Sequence, residues 1–261
     1  MSVDQNNHVN SETQDAPLLP TINKVDAGAP LQWLKLGWQD MRATHFYGLF
    51  YGVVFVFMGW AITWVYATRW QLTMGLLGGF FLMGPFICTG LYELSRQYEK
   101  EGKANLFKSM VCWCRNIPAI AFFAIVLTFA MIVWARVSLV IFALFSNTIF
   151  PSLQGLLGEV FALSNPIFLL AWLGIGFVFA SIIFAISVIS VPLMLDRNSD
   201  IFIAMICSAR ALLINPRAMY LWALAVLVII GASLLLGFLP LIVTAPLVGH
   251  ATWHAYRALV T

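Results

Sequence analysis

The sequence predicts an all-α integral membrane protein. Six transmembrane helices form three hairpins, and each hairpin follows an amphipathic helix lying in the cytoplasmic interface. Three observations carry this. Hydrophobic residues make up 61% of the 261 and charged residues only 10%, against about a quarter charged in a soluble domain. Apolar runs of roughly 20 residues recur, each long enough to cross a bilayer. Lysine and arginine gather between alternate runs rather than between all of them.

Residues 1–29 carry Asp4, Glu12, Asp15 and Asp26 against Lys24 alone. Such a stretch buries too little apolar surface to order itself, and it lacks the basic and apolar regions of a secretory signal. It is expected to be a disordered cytoplasmic tail, with residues 30–261 forming one transmembrane domain. The spans fall at 47–67, 72–92, 118–137, 167–191, 218–237 and 239–256, each bound uncertain by about 2–4 residues. Lys24, Lys35 and Arg42 precede the first span. Arg96, Lys100, Lys103, Lys108 and Arg115 lie between the second and third, and Arg197, Arg210 and Arg217 between the fourth and fifth. Arg257 follows the sixth. Only Arg69 and Arg136 fall on the other side, so both termini are expected in the cytoplasm. Residues 138–166 are apolar but broken by Pro151, Gly155, Gly158 and Pro166. They read as an outward extension of the third helix and then an interfacial or re-entrant piece.

An apolar stripe at helical spacing precedes each hairpin. The first is Leu31, Leu34, Trp38 and Met41. The second is Leu106, Phe107, Met110, Val111 and Cys114. The third is Phe202, Met205, Ile206, Ala209 and Leu213. Basic residues flank each stripe, the pattern of a helix lying in the interface. The second helices also end alike: "PFICTGLYELSR" (85–96), the shorter "VPLMLDR" (191–197) and "PLVGHATWHAYR" (246–257). Three copies of one unit account for this, and so do three independent hairpins under common interface rules. Gly48 with Gly52, and Gly75 with Gly79, give two G-x-x-x-G pairs that suit close helix packing within the chain or between copies.

The strings "SVPLMLDR", "GLYELSR" and above all "GHATWHAYR" resemble an uncharacterised group of bacterial inner-membrane proteins, a family of the domain-of-unknown-function kind. The resemblance covers roughly residues 30–261. It implies a six-span protein of the bacterial inner membrane and supplies no activity. Relatives are sometimes labelled as akin to a cytochrome oxidase subunit. The histidines here do not suit that label: His250 and His254 stand one turn apart on one helix, so they cannot both be axial ligands of one haem.

Other chemistry finds little support. Cys112 and Cys114 in "CWC" point about 200° apart on a helix, unlike a zinc pair. Cys88 and Cys207 complete no disulfide framework. No G-x-S-x-G, H-E-x-x-H or P-loop occurs, so no enzymatic activity and no metal or cofactor are expected. A net charge of +3 does not suggest nucleic acid. The expected partners are the bilayer, another membrane protein or a second copy of the chain. Two function classes remain: a non-enzymatic scaffold or accessory protein, and a small-solute or ion permease with a cytoplasm-facing cavity. Two site expectations follow. His250, His254, Glu93, Asp196 and His45 end spans at one cytoplasmic level and could line the rim of a common cavity, although Trp, Tyr, His and Arg at a helix end are also ordinary interfacial anchors. On the outer side Arg136 could pair with Glu159, or snorkel to the headgroups instead.

Overall fold

The computed structural model describes residues 19–69, 73–145 and 165–261, with side chains throughout except for residues 69–82. Glu159, the broken stretch around Pro151, and the side chains of Arg69 and the Gly75/Gly79 pair lie outside the described residues. Helix α1 is Ala29–Ala43, α2 Gly48–Arg69, α3 Thr73–Glu101 and α4 Leu106–Met110, followed by a 3-10 turn at Cys112–Asn116. Then come α5 Ile117–Phe145, α6 Pro166–Ser187, α7 Ser190–Arg197, α8 Ile201–Ile214, α9 Pro216–Leu235 and α10 Leu241–Leu259.

Local chemistry sets the ends. Pro30, Pro166 and Pro216 open α1, α6 and α9, where a missing N–H costs nothing. The side chains of Asn105, Asn165 and Asp200 cap α4, α6 and α8 by accepting from the backbone N–H of Lys108, Phe168 and Phe202 at 3.0, 3.1 and 2.8 Å. Asn198 stops α7 at φ 52°, a left-handed position that asparagine tolerates.

Among the described residues four stretches are long and apolar enough to cross a membrane: Gly48–Thr68, Cys112–Phe145, Pro166–Arg197 and Pro216–Leu235. Helix α5, which holds the expected third span, continues past Arg136 as far as Phe145. Helix α10, which holds the expected sixth span, is not among the four, and much of the apolar part of α3, which holds the expected second, lies outside the residues whose side chains are described. Both carry the polar residues that occupy the protein's interior.

The three amphipathic segments pack in a cyclic pattern. Segment α4 and its 3-10 turn lie against α3, α8 lies against α6 and α7, and α1 lies against α10. The second and third lie against helices that precede them in the chain, and α1 lies against the last. Met41 excepted, the faces they bury are not the apolar stripes. Helix α1 buries Trp33, Gly37, Asp40 and Met41 while Leu31 and Trp38 are exposed. Segment α4 buries Ser109, and the turn buries Cys112, while Phe107 and Val111 are exposed. Helix α8 buries Ala204, Cys207, Ser208 and Ala211 while Phe202, Ile206 and Leu213 are exposed. Trp33, Met41, Ile201 and Leu212 are the large members of these buried faces; most of the rest are small or polar, so the backbones approach closely. A Cβ on Gly37 would stand 2.6 Å from the Ala251 nitrogen. The second segment is also not one continuous helix, because the chain tightens into the 3-10 turn after Met110.

The Gly48/Gly52 pair acts within the chain. A Cβ on Gly52 would collide with the Ile242 carbonyl oxygen, and one on Gly48 would meet Pro246 at 2.9 Å. Part of the stretch expected as a tail is also held in place. Ile22 and Val260 form an antiparallel bridge, and the Asn23 N–H donates to the Leu259 carbonyl at 2.9 Å. Asn215 accepts from the Val25 N–H and donates to the Asn23 carbonyl, both at 2.8 Å. Backbone pairing needs no apolar side chains, which is why composition alone did not reveal it.

Candidate functional site: a polar layer where three helix ends meet

The C-terminal ends of α3, α7 and α10 touch one another, and their polar residues interlock. Asp196 on α7 is the hub. It accepts from Arg96 Nε at 3.0 Å and Lys100 Nζ at 2.9 Å, both on α3, and from the Tyr256 hydroxyl of α10 at 3.0 Å. Glu93 on α3, only 1% exposed, forms a second hub. It accepts from Arg115 at 2.8 Å, from Arg96 at 3.2 Å and from Gln97 Nε2 at 3.0 Å. The Gln97 carbonyl oxygen accepts the Asn105 N–H at 2.7 Å, which ties α3 to the cap of α4. Glu99 receives the Trp253 indole N–H at 2.9 Å and Arg257 Nε at 3.0 Å. At the α1 side His254 Nε2 lies 2.9 Å from Asp40 Oδ2.

His250 sits deeper and is fully buried. Its Nδ1 shares a 2.7 Å hydrogen bond with the Ser95 hydroxyl, while Nε2 has no partner among the described residues and faces Gly48. The five residues expected at the rim therefore divide. Glu93 and Asp196 are joined through Arg96, which donates to both. His254 belongs to the same layer through Asp40. His250 stands inside the helix contact with its own serine. His45 is exposed in the turn between α1 and α2 at φ 55°, its ring 6.0 Å from that of Tyr47. Among the described residues no group of three His, Cys, Asp or Glu side chains is placed to hold a metal ion. Arg136 is exposed on α5, and its expected partner Glu159 is outside the described residues.

Three members escaped the sequence reading. Asp40 was passed over because it lies on the side of α1 away from the apolar stripe. Glu99 and Gln97 lie past the expected end of the second span, where the helix runs on by about two turns. The signal was present: in "YELSRQYEK" Glu93, Gln97 and Lys100 recur at i, i+4 and i+7, one face of a helix.

Chemically the layer is a clamp. Each carboxylate meets at least one donor from another element, and a buried charge is tolerated when it is paired and hydrogen-bonded. The buried thiols offer little reactivity. Cys112 is buried and Cys114 exposed, on opposite sides of the turn. Burial pushes the Cys207 thiol up, so it stays protonated and inert.

Residues 72–196 match the model of a family described as "Predicted integral membrane protein (DUF2189)". The matched segment runs from α3 to Asp196 and includes Glu93, Arg96 and Arg115, whereas "GHATWHAYR" lies beyond it. No curated protein and no solved structure matches the chain.

Proposed function

We propose that this membrane protein is a non-enzymatic scaffold or accessory protein of the bacterial inner membrane. In this reading it has six spans in three hairpins, with both termini cytoplasmic. The observation that supports it is the use made of the polar layer. Asp196, Glu93, Glu99 and Asp40 spend their acceptor capacity on neighbouring helices, so the groups best suited to bind a solute or move a proton hold the helix ends together instead. Helices α3 and α10 complete the six spans as central elements, their polar residues sheltered by the four apolar helices. The cyclic packing of the three amphipathic segments supports three copies of one unit.

Two measurements test this. Mild-detergent purification after crosslinking in the native membrane should yield a stoichiometric protein partner. Liposomes holding the purified protein should take up no member of a panel of small solutes and ions faster than empty ones. Uptake without a partner would replace the scaffold with a permease. Orientation is checked in a background lacking the four native cysteines. A cysteine at Arg69 should react with an impermeant thiol reagent from the periplasm, and one at Lys103 should not; the reverse labelling overturns the topology.

A further inference from the structure

Charge is partitioned across the polar layer. Arg96, Lys100, Arg115 and Arg257 are taken up by Glu93, Asp196 and Glu99. Lys108 on α4 is exposed and enters no ion pair among the described residues. Exposed Lys103 lies just before it, with Glu101 the exposed acid of that stretch. Ser109 and Met110, next to Lys108 in the chain, help line a groove of about 360 Å³ between α2, α3 and the segment around α4. Phe50, Val54, Met83, Phe86 and Trp113 are among its walls. At one end the Tyr51 and Ser109 hydroxyls share a 2.7 Å hydrogen bond. Toward the other end Val54 and half-exposed Met83 lie along the spanning helices. The Trp113 ring packs edge-on to Phe86, and its N–H donates to the Met110 carbonyl at 2.9 Å, the amphipathic use of tryptophan at a membrane interface.

We infer that this groove seats one anionic phospholipid, with an acyl chain against Val54, Met83 and Phe86 and the headgroup phosphate at Lys108. The bilayer is the medium that bathes this face, so an acyl chain is the apolar partner at hand. The charge left over on the segment that walls the groove selects among headgroups: the neighbouring carboxylates are largely committed inside, and the free lysines attract a negative group. The inference does not depend on the scaffold reading, since a permease with this groove would hold the same lipid.

The experiment is native mass spectrometry of the full chain extracted from vesicles of equal phosphatidylglycerol and phosphatidylcholine. The wild type should retain one phosphatidylglycerol in preference to phosphatidylcholine. Lys108→Gln should lower that retention about fivefold, the effect of one basic residue near an anionic surface. Val54→Trp, which fills the groove, should abolish retention of either lipid. Lys35→Gln, an equally exposed cation on α1, should leave it unchanged. Should Val54→Trp unfold the protein, as judged by its helical circular dichroism, the two lysine variants decide alone. Equal retention of both lipids, or equal losses for Lys108→Gln and Lys35→Gln, would overturn the assignment. The first would mean no headgroup selection and the second a diffuse basic surface without a seat.

Discussion

Helices α6 and α10 are of similar length and lie in the same protein, yet their surroundings are opposite. Along α6 only Phe168 is buried in the protein. Leu170, Leu173, Phe177 and Ile182 all face outward. Helix α10 falls outside the four most apolar stretches, yet it buries Gly249, His250, Ala251, Thr252, Trp253, Ala255 and Tyr256. In a soluble protein the greasier helix would be the inner one. In a bilayer the rule turns over, because lipid solvates leucine as well as protein does, whereas polar groups find partners only inside. Hydropathy therefore reports which helices meet lipid, and polar residues report which helices form the centre.

The largest effect should come from the centre. Glu93→Ala would leave Arg96 and Arg115 without their shared carboxylate and Gln97 without an acceptor. Breaking one side of a buried pair costs about 3–5 kcal/mol. Because Arg115 is about half exposed, the lower end, about 3 kcal/mol, is expected. The measurement is loss of helical signal on titrating SDS into mixed micelles. Glu93→Gln, which keeps the shape and part of the hydrogen bonding, should fall between. A Glu93→Ala protein as stable as the wild type would mean that the layer does not hold the helices together.

Next come the glycines. Gly52→Ala sets a methyl group against the α10 backbone and should cost about 1–3 kcal/mol, the range for overpacking. Gly174→Ala on α6 meets nothing within 4 Å, and should be neutral or slightly stabilising through helix propensity. The same titration reads both. Equal effects would erase the distinction between the two helices.

Asp40→Ala should do less, about 1 kcal/mol. It removes a partly buried hydrogen bond to His254, while the Gly37–Ala251 contact still holds α1 on α10. Rescue by Asp40→Asn, which retains a hydrogen-bonding side chain, would identify the bond rather than the charge as the contribution.

The sequence's legibility follows the same division. The exposed apolar helices could be read directly, since length and hydropathy describe their contact with lipid. The three amphipathic segments could be located, and their stripes read as faces turned to the membrane interface; Leu31, Phe107 and Phe202 are indeed exposed. That Gly37, Ser109 and Ser208 form the faces packed on the protein was not legible, because small and polar residues leave no apolar pattern. Glu93 and Asp196 could be placed at one level by their positions at helix ends. Their common partner, Arg96, could not, because the link between them crosses 100 residues of chain. Asn215 precedes Pro216 at the start of α9, but its side chain holds the backbone of Asn23 and Val25, a long-range contact that no local pattern encodes.

The smallest expected effect tests the lipid side of the comparison. Leu173 is 60% exposed on α6, with Gly174 beside it and no side-chain neighbour for that glycine within 4 Å. If lipid covers this face, Leu173→Ala exchanges one lipid-solvated side chain for a smaller one. Its effect should stay within about 0.5 kcal/mol, as for substitutions at unpacked surfaces. The mass of the detergent-solubilised protein should also be unchanged. If a second copy of the chain covers the face, the same change would cut into a packed interface. Truncating a leucine there would cost about 2–5 kcal/mol of dimer stability, and the mass by light scattering would fall toward that of one chain. The two outcomes differ in kind as well as in size. Lipid on this face leaves α6 without a protein neighbour to lose, whereas a mass that halves on Leu173→Ala would make α6 the protein's interface and move the boundary between its inner and outer helices.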